Sequence, residues 1–303
     1  MASKIQQLLQ QYEGAVPDPR TRHWLLVSDS PVPVWVATGL YLMMVLVGPR
    51  IMKNRQPFSL QWLMVVYNLG LVLLSTYMFI EIIVSVVDAG YDMWCANYNQ
   101  GSWANPKEMR VAKVTWWYFF SKVIEFNDTL LMILRKKFNQ ITFLHVFHHA
   151  TMLNIWWWVI MFIPGGMSWF GSWLNCLVHI VMYSYYGLSA IPALRGKLWW
   201  KKYITKFQLF QFCVTFTHTA NSLRVSCDFP RWGQWLLTLY IVVMLCLFGN
   251  FYIQSYIRKH KNTHSVGDVP RVNGVNKRGV TPVNGKKFLN GQTNGFIQHT
   301  KGE

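Results

Sequence analysis

Seven apolar runs leave this chain few folds to choose from. They fall at about residues 32–52, 60–87, 114–134, 141–163, 169–191, 203–222 and 235–257. A helix needs about 20 apolar residues to cross a hydrocarbon core. Inside lipid only helices or closed barrels satisfy every backbone polar group. Trp and Tyr gather near the ends of the runs, as at Trp116, Trp117 and Tyr118, at Trp199 and Trp200, and at Trp232 and Trp235, the pattern of interfacial belts. The reading is an all-α polytopic membrane protein with seven transmembrane helices. Residues 32–257 form the helical domain, between an N-terminal segment 1–31 and a tail 258–303. Residues 1–30 lack the apolar core of a cleaved signal peptide. Ile5, Leu8, Leu9 and Tyr12 would instead stripe one short interfacial or docked helix.

Charge orients the bundle. The formal net charge is +17, and one set of connections holds most of it. Arg50, Lys53 and Arg55, then Arg135, Lys136 and Lys137, then Arg195, Lys197, Lys201 and Lys202 lie on one side, with the basic tail. On the other side, residues 88–113 balance three bases with three acids and residues 164–168 carry no charge. The positive-inside rule puts the C-terminus in the cytosol and the N-terminus in the lumen. A basic cytosolic face suits lipid headgroups or phosphate-bearing substrates. Nucleic acid is a poor partner, because the sequence has no soluble basic domain. The tail repeats Asn-Gly four times and is expected to be disordered. Its last five residues, HTKGE, loosely resemble a dilysine retrieval signal.

Five cysteines are present. Cys176, Cys213 and Cys246 fall within spans and read as buried small apolar residues. Cys95 and Cys227 fall in the two longer lumenal connections, where they could form a disulfide or remain two thiols.

Within the spans, one turn of helix concentrates chemistry. His145, His148 and His149 occupy i, i+3 and i+4 and share a face. Ionisable groups are costly in a bilayer and by default mark function. Lys122, Glu125, Asp128 and Thr129 share a face of the third span. Asn175, His179, Tyr183 and Tyr186 recur at helical spacing in the fifth. Gln208, Gln211, Thr215 and His218 form a stripe on the sixth. At ~1.5 Å rise per residue these groups overlap in depth, roughly 6–17 Å from the cytosolic ends. Glu81 comes out near the opposite surface. Each element alone has a plainer role, as helix–helix hydrogen bonding or a buried ion pair; their conjunction at one level argues for a site.

Imidazoles there could hold a metal, as in membrane desaturases with similar HxxHH boxes, or act directly on an acyl group. The di-iron reading needs several histidine boxes. This chain has one box, and only five histidines in its spans. No bound metal or cofactor is expected. Cys176 and Cys213 sit off the polar faces, which leaves a histidine as the candidate nucleophile. A seven-helix receptor or transporter has only the span count in its favour.

LHVFHH at 144–149, KVIEFNDT at 122–129, NCLVHIVMYSYYG at 175–187 and TKFQLFQF at 205–212 resemble, in order and spacing, the four signatures of the ELO family of fatty-acid elongases. GPRIMKNRQPF at 48–58, YNLG at 67–70 and RKKFNQITFLH at 135–145 extend the likeness. Within the family the chain is similar to the animal very-long-chain type, which includes enzymes active on polyunsaturated chains. The resemblance implies a seven-helix enzyme of the endoplasmic reticulum with an enclosed acyl-chain tunnel. It would condense a long-chain acyl-CoA with malonyl-CoA to a 3-ketoacyl-CoA, releasing carbon dioxide and CoA. His148 is the expected acyl acceptor, with His145 and His149 moving protons or positioning the thioester. Glu125 and Asp128 would orient imidazoles. Asn175, His179 and Tyr183 would stabilise the malonyl-derived enolate. Lys122, Tyr186, Gln208 and Gln211 would support the site. Expected partners are the two CoA substrates, membrane lipid and the reductases and dehydratase of the elongation cycle; the chain could also self-associate.

Overall fold

The computed structural model describes residues 16–98, 104–225 and 227–258. Seven long helices dominate them. They are α1 (Val32–Met52), α2 (Gln61–Asp88), α3 (Pro106–Leu134), α4 (Phe143–Phe162), α5 (Ser168–Ala190), α6 (Lys201–Arg224) and α7 (Arg231–Tyr252). A 3₁₀ turn, Phe138–Gln140, precedes α4. A four-residue helix, Pro192–Arg195, follows α5, and the π-helical stretch Ile253–Arg258 continues α7. No strand occurs among the described residues. The protein is an all-α membrane protein. Val32–Met52, Gln61–Asp88 and Arg231–Ile257 are long and apolar enough to cross a bilayer on length and composition alone. The other four long helices carry the polar residues singled out above. The helix expected within residues 1–12 and the tail after Arg258 lie outside the described residues.

Local chemistry sets the helix starts. α3 begins at Pro106, ahead of the apolar run. Asn105 accepts from the Lys107 N–H at 3.0 Å, and proline occupies the first turn, where its missing N–H costs nothing. α4 begins at Phe143 because the Thr142 hydroxyl accepts from the His145 N–H at 3.2 Å. That cap fixes the helical phase of all three histidines. The far end of α4 is capped by a distant segment. Met161 and Ile160 carbonyls, two of the last four that a helix leaves unpaired, accept from the Asp18 N–H at 2.8 Å and the Thr21 hydroxyl at 2.7 Å.

Neighbouring pairs close a ring in the order α2, α3, α4, α7, α6, α5 and back to α2, with the α2–α5 contact the most extensive. α1 packs against α3 and α4 and leaves most of its surface outward. Aromatic and aliphatic side chains fill the bundle, among them Phe119, Leu153, Ile160 and Ile163, all fully buried. At one end, which we call the cap end, the α2–α3, α4–α5 and α6–α7 connections meet. Gly166 there adopts a left-handed φ of 55° with Phe229 packed over it, where any side chain would collide.

Candidate active site

The α4 cap and the 3.6-residue period turn His145, His148 and His149 toward α3 and α7. The rings of His145 and His149 lie 4.4 Å apart between centroids, and those of His148 and His149 5.5 Å. The Thr129 hydroxyl of α3 meets His145 Nε2 at 2.7 Å. His148 also packs edge-on against Phe248 of α7.

α3 and α5 supply the charged part. Lys122 donates to Glu125 Oε1 at 2.7 Å, and both side chains are only 2% exposed. Ser121 donates to the same oxygen at 3.2 Å, and His179 Nδ1 approaches it at 3.4 Å. The Lys122 ammonium also sits 4.3 Å from the centre of the Tyr118 ring and 3.5 Å from Asn175 Oδ1. Tyr118 donates to Asn175 Oδ1 at 2.7 Å, and Asn175 reaches Gln211 at 3.5 Å. Burying two charges costs several kcal/mol per ion, and their attraction repays it only with added hydrogen bonds. Ser121 and Asn175 provide them, and the Tyr118 ring faces the ammonium. Such a pair adds little net stability, so its survival in an apolar bundle points to chemistry.

A narrow internal cavity runs beside these groups. Tyr118, His148, Asn175 and Gln211 line it, and Met167, Ser168 and Gly171 line its stretch toward the cap end. His148 Nδ1 is buried there with no partner among the described residues. Oriented polar groups around an uncommitted imidazole can bind and polarise a carbonyl in a medium where water does not compete.

Other expected residues fall outside this cluster. Asp128 accepts from the Tyr183 hydroxyl at 2.8 Å and not from an imidazole; the carboxylate able to orient a ring is Glu125. Gln208 turns to Met182 Sδ at 3.5 Å, and Tyr186 is 37% exposed, touching Tyr183 edge-on. Ser121 and Tyr41 belong to the site's network without a signal in the spacing, and Tyr118, expected in an interfacial belt, is instead 1% exposed beside Lys122, because the helix begins at Pro106 and carries it into the bundle. Tyr118 lies one helical turn before Lys122, which would have placed it on the same face. Cys95 and Cys227 are joined, Cα to Cα 5.4 Å. Cys176 is buried, but Cys213 and Cys246 are exposed on the helices' outer faces. Their positions look away from the ring interior, so lipid rather than protein would cover them. Among the described residues no group of three or more His, Cys, Asp and Glu is arranged to hold a metal ion.

Near the basic connections, Arg135 closes α3. Burial, and then the neighbouring Arg195 guanidinium, hold its pKa below the ordinary arginine value. A bound anion would relieve both costs.

The ELO family, described as the GNS1/SUR4 family, matches residues 26–264. A very long chain fatty acid elongase 5 from Xenopus tropicalis is 50% identical over 260 residues, covering 85% of this chain and 87% of its own length. The protein of that name from Tachysurus fulvidraco is 46% identical over 297 residues, covering 97% and 95%. The one from Rattus norvegicus is 47% identical over 264 residues, covering 85% and 87%.

Proposed function

The chain belongs to the ELO family, GNS1/SUR4, and from that premise we propose how its helices carry the family reaction. The protein is a very-long-chain fatty acid elongase, the condensing enzyme (3-oxoacyl-CoA synthase) of the elongation cycle. It joins a long-chain acyl-CoA to malonyl-CoA and yields a 3-ketoacyl-CoA two carbons longer, carbon dioxide and CoA.

In our reading all seven long helices cross the membrane of the endoplasmic reticulum, with the N-terminus lumenal and the C-terminus cytosolic. The cavity is the inner part of an enclosed acyl tunnel that ends beneath the cap end. The CoA phosphates stay at the cytosolic mouth near Arg135 and Arg195. One observation carries this reading: His148, Asn175 and Gln211 face one internal cavity from three helices, and His148 keeps an uncommitted ring nitrogen.

A ring nitrogen of His148 attacks the thioester carbonyl. A C–N bond forms, the C–S bond breaks, and CoA leaves as the thiol with the proton that the acylated ring gives up. Malonyl-CoA then loses carbon dioxide. The electron pair of the broken C–C bond becomes an enolate, which Asn175 and His179 stabilise through hydrogen bonds. The enolate carbon attacks the acyl carbon, the C–N pair returns to His148, and the ring takes up the one proton that the overall reaction consumes from water. Lys122 and Glu125 hold His179 and Asn175 in place, and Gln211 supports Asn175. Tyr183, engaged by Asp128, anchors α5 to α3. No resident cofactor takes part in these steps. A reductase and a dehydratase would consume the 3-keto product. Surrounding lipid is a standing partner, and self-association is compatible with the exposed apolar faces.

Incubation of purified protein with radiolabelled malonyl-CoA and a panel of acyl-CoAs tests the reading. Labelled 3-ketoacyl-CoA, two carbons longer than the primer, is expected. Release of carbon dioxide without a new C–C bond for any primer would contradict it.

A further inference from the structure

α1 stands outside the ring of six helices, yet its Tyr41 reaches the histidine cluster. Tyr41 is 2% exposed, stacks on Phe126 with centroids 4.2 Å apart, and places its hydroxyl 3.2 Å from Thr129 Oγ1. Thr129 is fully buried and meets His145 Nε2 at 2.7 Å. Three groups on three helices thus form a chain of two hydrogen bonds.

Proton counting decides its direction. A threonine hydroxyl has one proton and donates once. If Thr129 donates to His145 Nε2, the Tyr41 hydroxyl donates to Thr129 and both buried hydroxyl protons have acceptors. If His145 Nε2–H donates instead, Thr129 must turn its proton to the Tyr41 oxygen. Tyr41 has no other hydrogen-bond partner among the described residues. Its own proton would then be buried unpaired, which is unfavourable. The network, from which a histidine tautomer is properly assigned, selects the first arrangement.

We propose that Tyr41 and Thr129 are positioning residues that hold His145 in the Nδ1–H tautomer, so that His145 serves the condensation as a hydrogen-bond donor and not as a base. Nε2 is committed as an acceptor, and Nδ1 carries no hydrogen bond to the described protein. The Nδ1–H is left for the thioester oxygen or for His149, whose ring lies beside it. α1 then acts as a brace for the tautomer as well as a membrane anchor. The proposal rests on the acyl-transfer reading of the site and assigns one of its open roles.

The test compares Thr129→Val, which keeps the shape and removes the hydroxyl, with Thr129→Ser, which restores the hydroxyl, alongside Tyr41→Phe and His148→Ala. Expected is a roughly 100-fold loss of kcat in Thr129→Val with acyl-CoA KM changed by no more than about twofold. Thr129→Ser should recover most of kcat, and Tyr41→Phe should lose less than Thr129→Val. Melting temperature in detergent, measured for each variant, separates misfolding from loss of the tautomer. Equal losses in the Ser and Val variants, or wild-type kcat in Thr129→Val, would overturn the proposal. Acyl-CoA-dependent CoA release surviving in His148→Ala would instead overturn the underlying acyl-acceptor reading, whatever the Thr129 variants do.

Discussion

The two ends of the bundle use polar groups in opposite ways. At the cap end the buried carboxylates are bound to neighbouring side chains. Asp18 is fully buried, accepts from Tyr98 at 2.5 Å, and is gripped by Arg20 through Nε at 3.0 Å and Nη2 at 2.7 Å. Tyr91 donates to Glu108 at 2.7 Å and accepts from the Gly166 N–H at 3.0 Å. The Tyr98 N–H reaches the Asp228 carbonyl at 2.7 Å, and Cys95 is bonded to Cys227. At the histidine end, the buried charges are held by a few side chains. His148 Nδ1 is unpartnered, and a cavity opens beside it. At the cap end buried carboxylates are committed to protein partners; at the histidine end a ring nitrogen that faces the cavity is left for a substrate. The difference predicts that damage to the cap end costs stability first, and damage to the histidine end costs turnover first.

The largest stability effect is expected at the cap end. The disulfide spans 132 residues of sequence. Closing so long a loop contributes up to about 5 kcal/mol in the chain-entropy account. Cys95→Ser should lower the melting temperature in detergent while leaving activity intact at low temperature. Activity lost with no change in melting would break the comparison, since the cap end would then be part of the site.

Lys122→Met comes next. It strands Glu125 as an unpaired buried charge and should cost about 3–5 kcal/mol together with all activity. Adding Glu125→Gln should return most of the stability and none of the activity, as thermal unfolding and product assays would show. Recovered activity in the double variant would reduce the pair to a structural feature.

The smallest effect is a pH dependence at the cap end. Burial raises the Glu108 pKa above its ordinary value, and the Tyr91 hydrogen bond and Arg20 only partly oppose it. A raised folded-state pKa favours the protonated form. Its contribution is therefore full below the unfolded pKa of about 4.3 and is lost as pH rises through the higher folded value. Glu108→Gln should flatten that slope. An unchanged slope of melting temperature against pH would show that Glu108 does not carry it.

Sequence pattern located the helices well where composition alone governs them. α1 occupies the run at 32–52 from end to end. It did worse where capping governs: α3 starts at Pro106, ahead of any apolar signal, because Asn105 and the proline set its first turn. Periodicity also placed Lys122 and Glu125 on one face and His145, His148 and His149 on another, since such facts are local to one helix. Contacts between helices were not legible. Nothing in the spacing of Asp128 shows that it meets Tyr183 and leaves Glu125 to approach His179. Nothing in residues 16–27, charged and proline-bearing, shows that Asp18 and Thr21 cap α4 in its buried core. Those pairings arise from how α3 docks on α5 and how residues 16–27 dock on α4, and docking leaves no period in a single stretch of sequence.

The central claim is that His148 takes the acyl group, and rapid-quench measurement of CoA release from acyl-CoA alone tests it most directly. With no malonyl-CoA present, the wild-type enzyme should release a burst approaching one CoA per active site. The burst should persist when Asn175 is replaced by Ala and vanish in His148→Ala. Condensing activity with no burst, and with kinetics that require both substrates bound together, would contradict the account and leave the histidines as acid and base only.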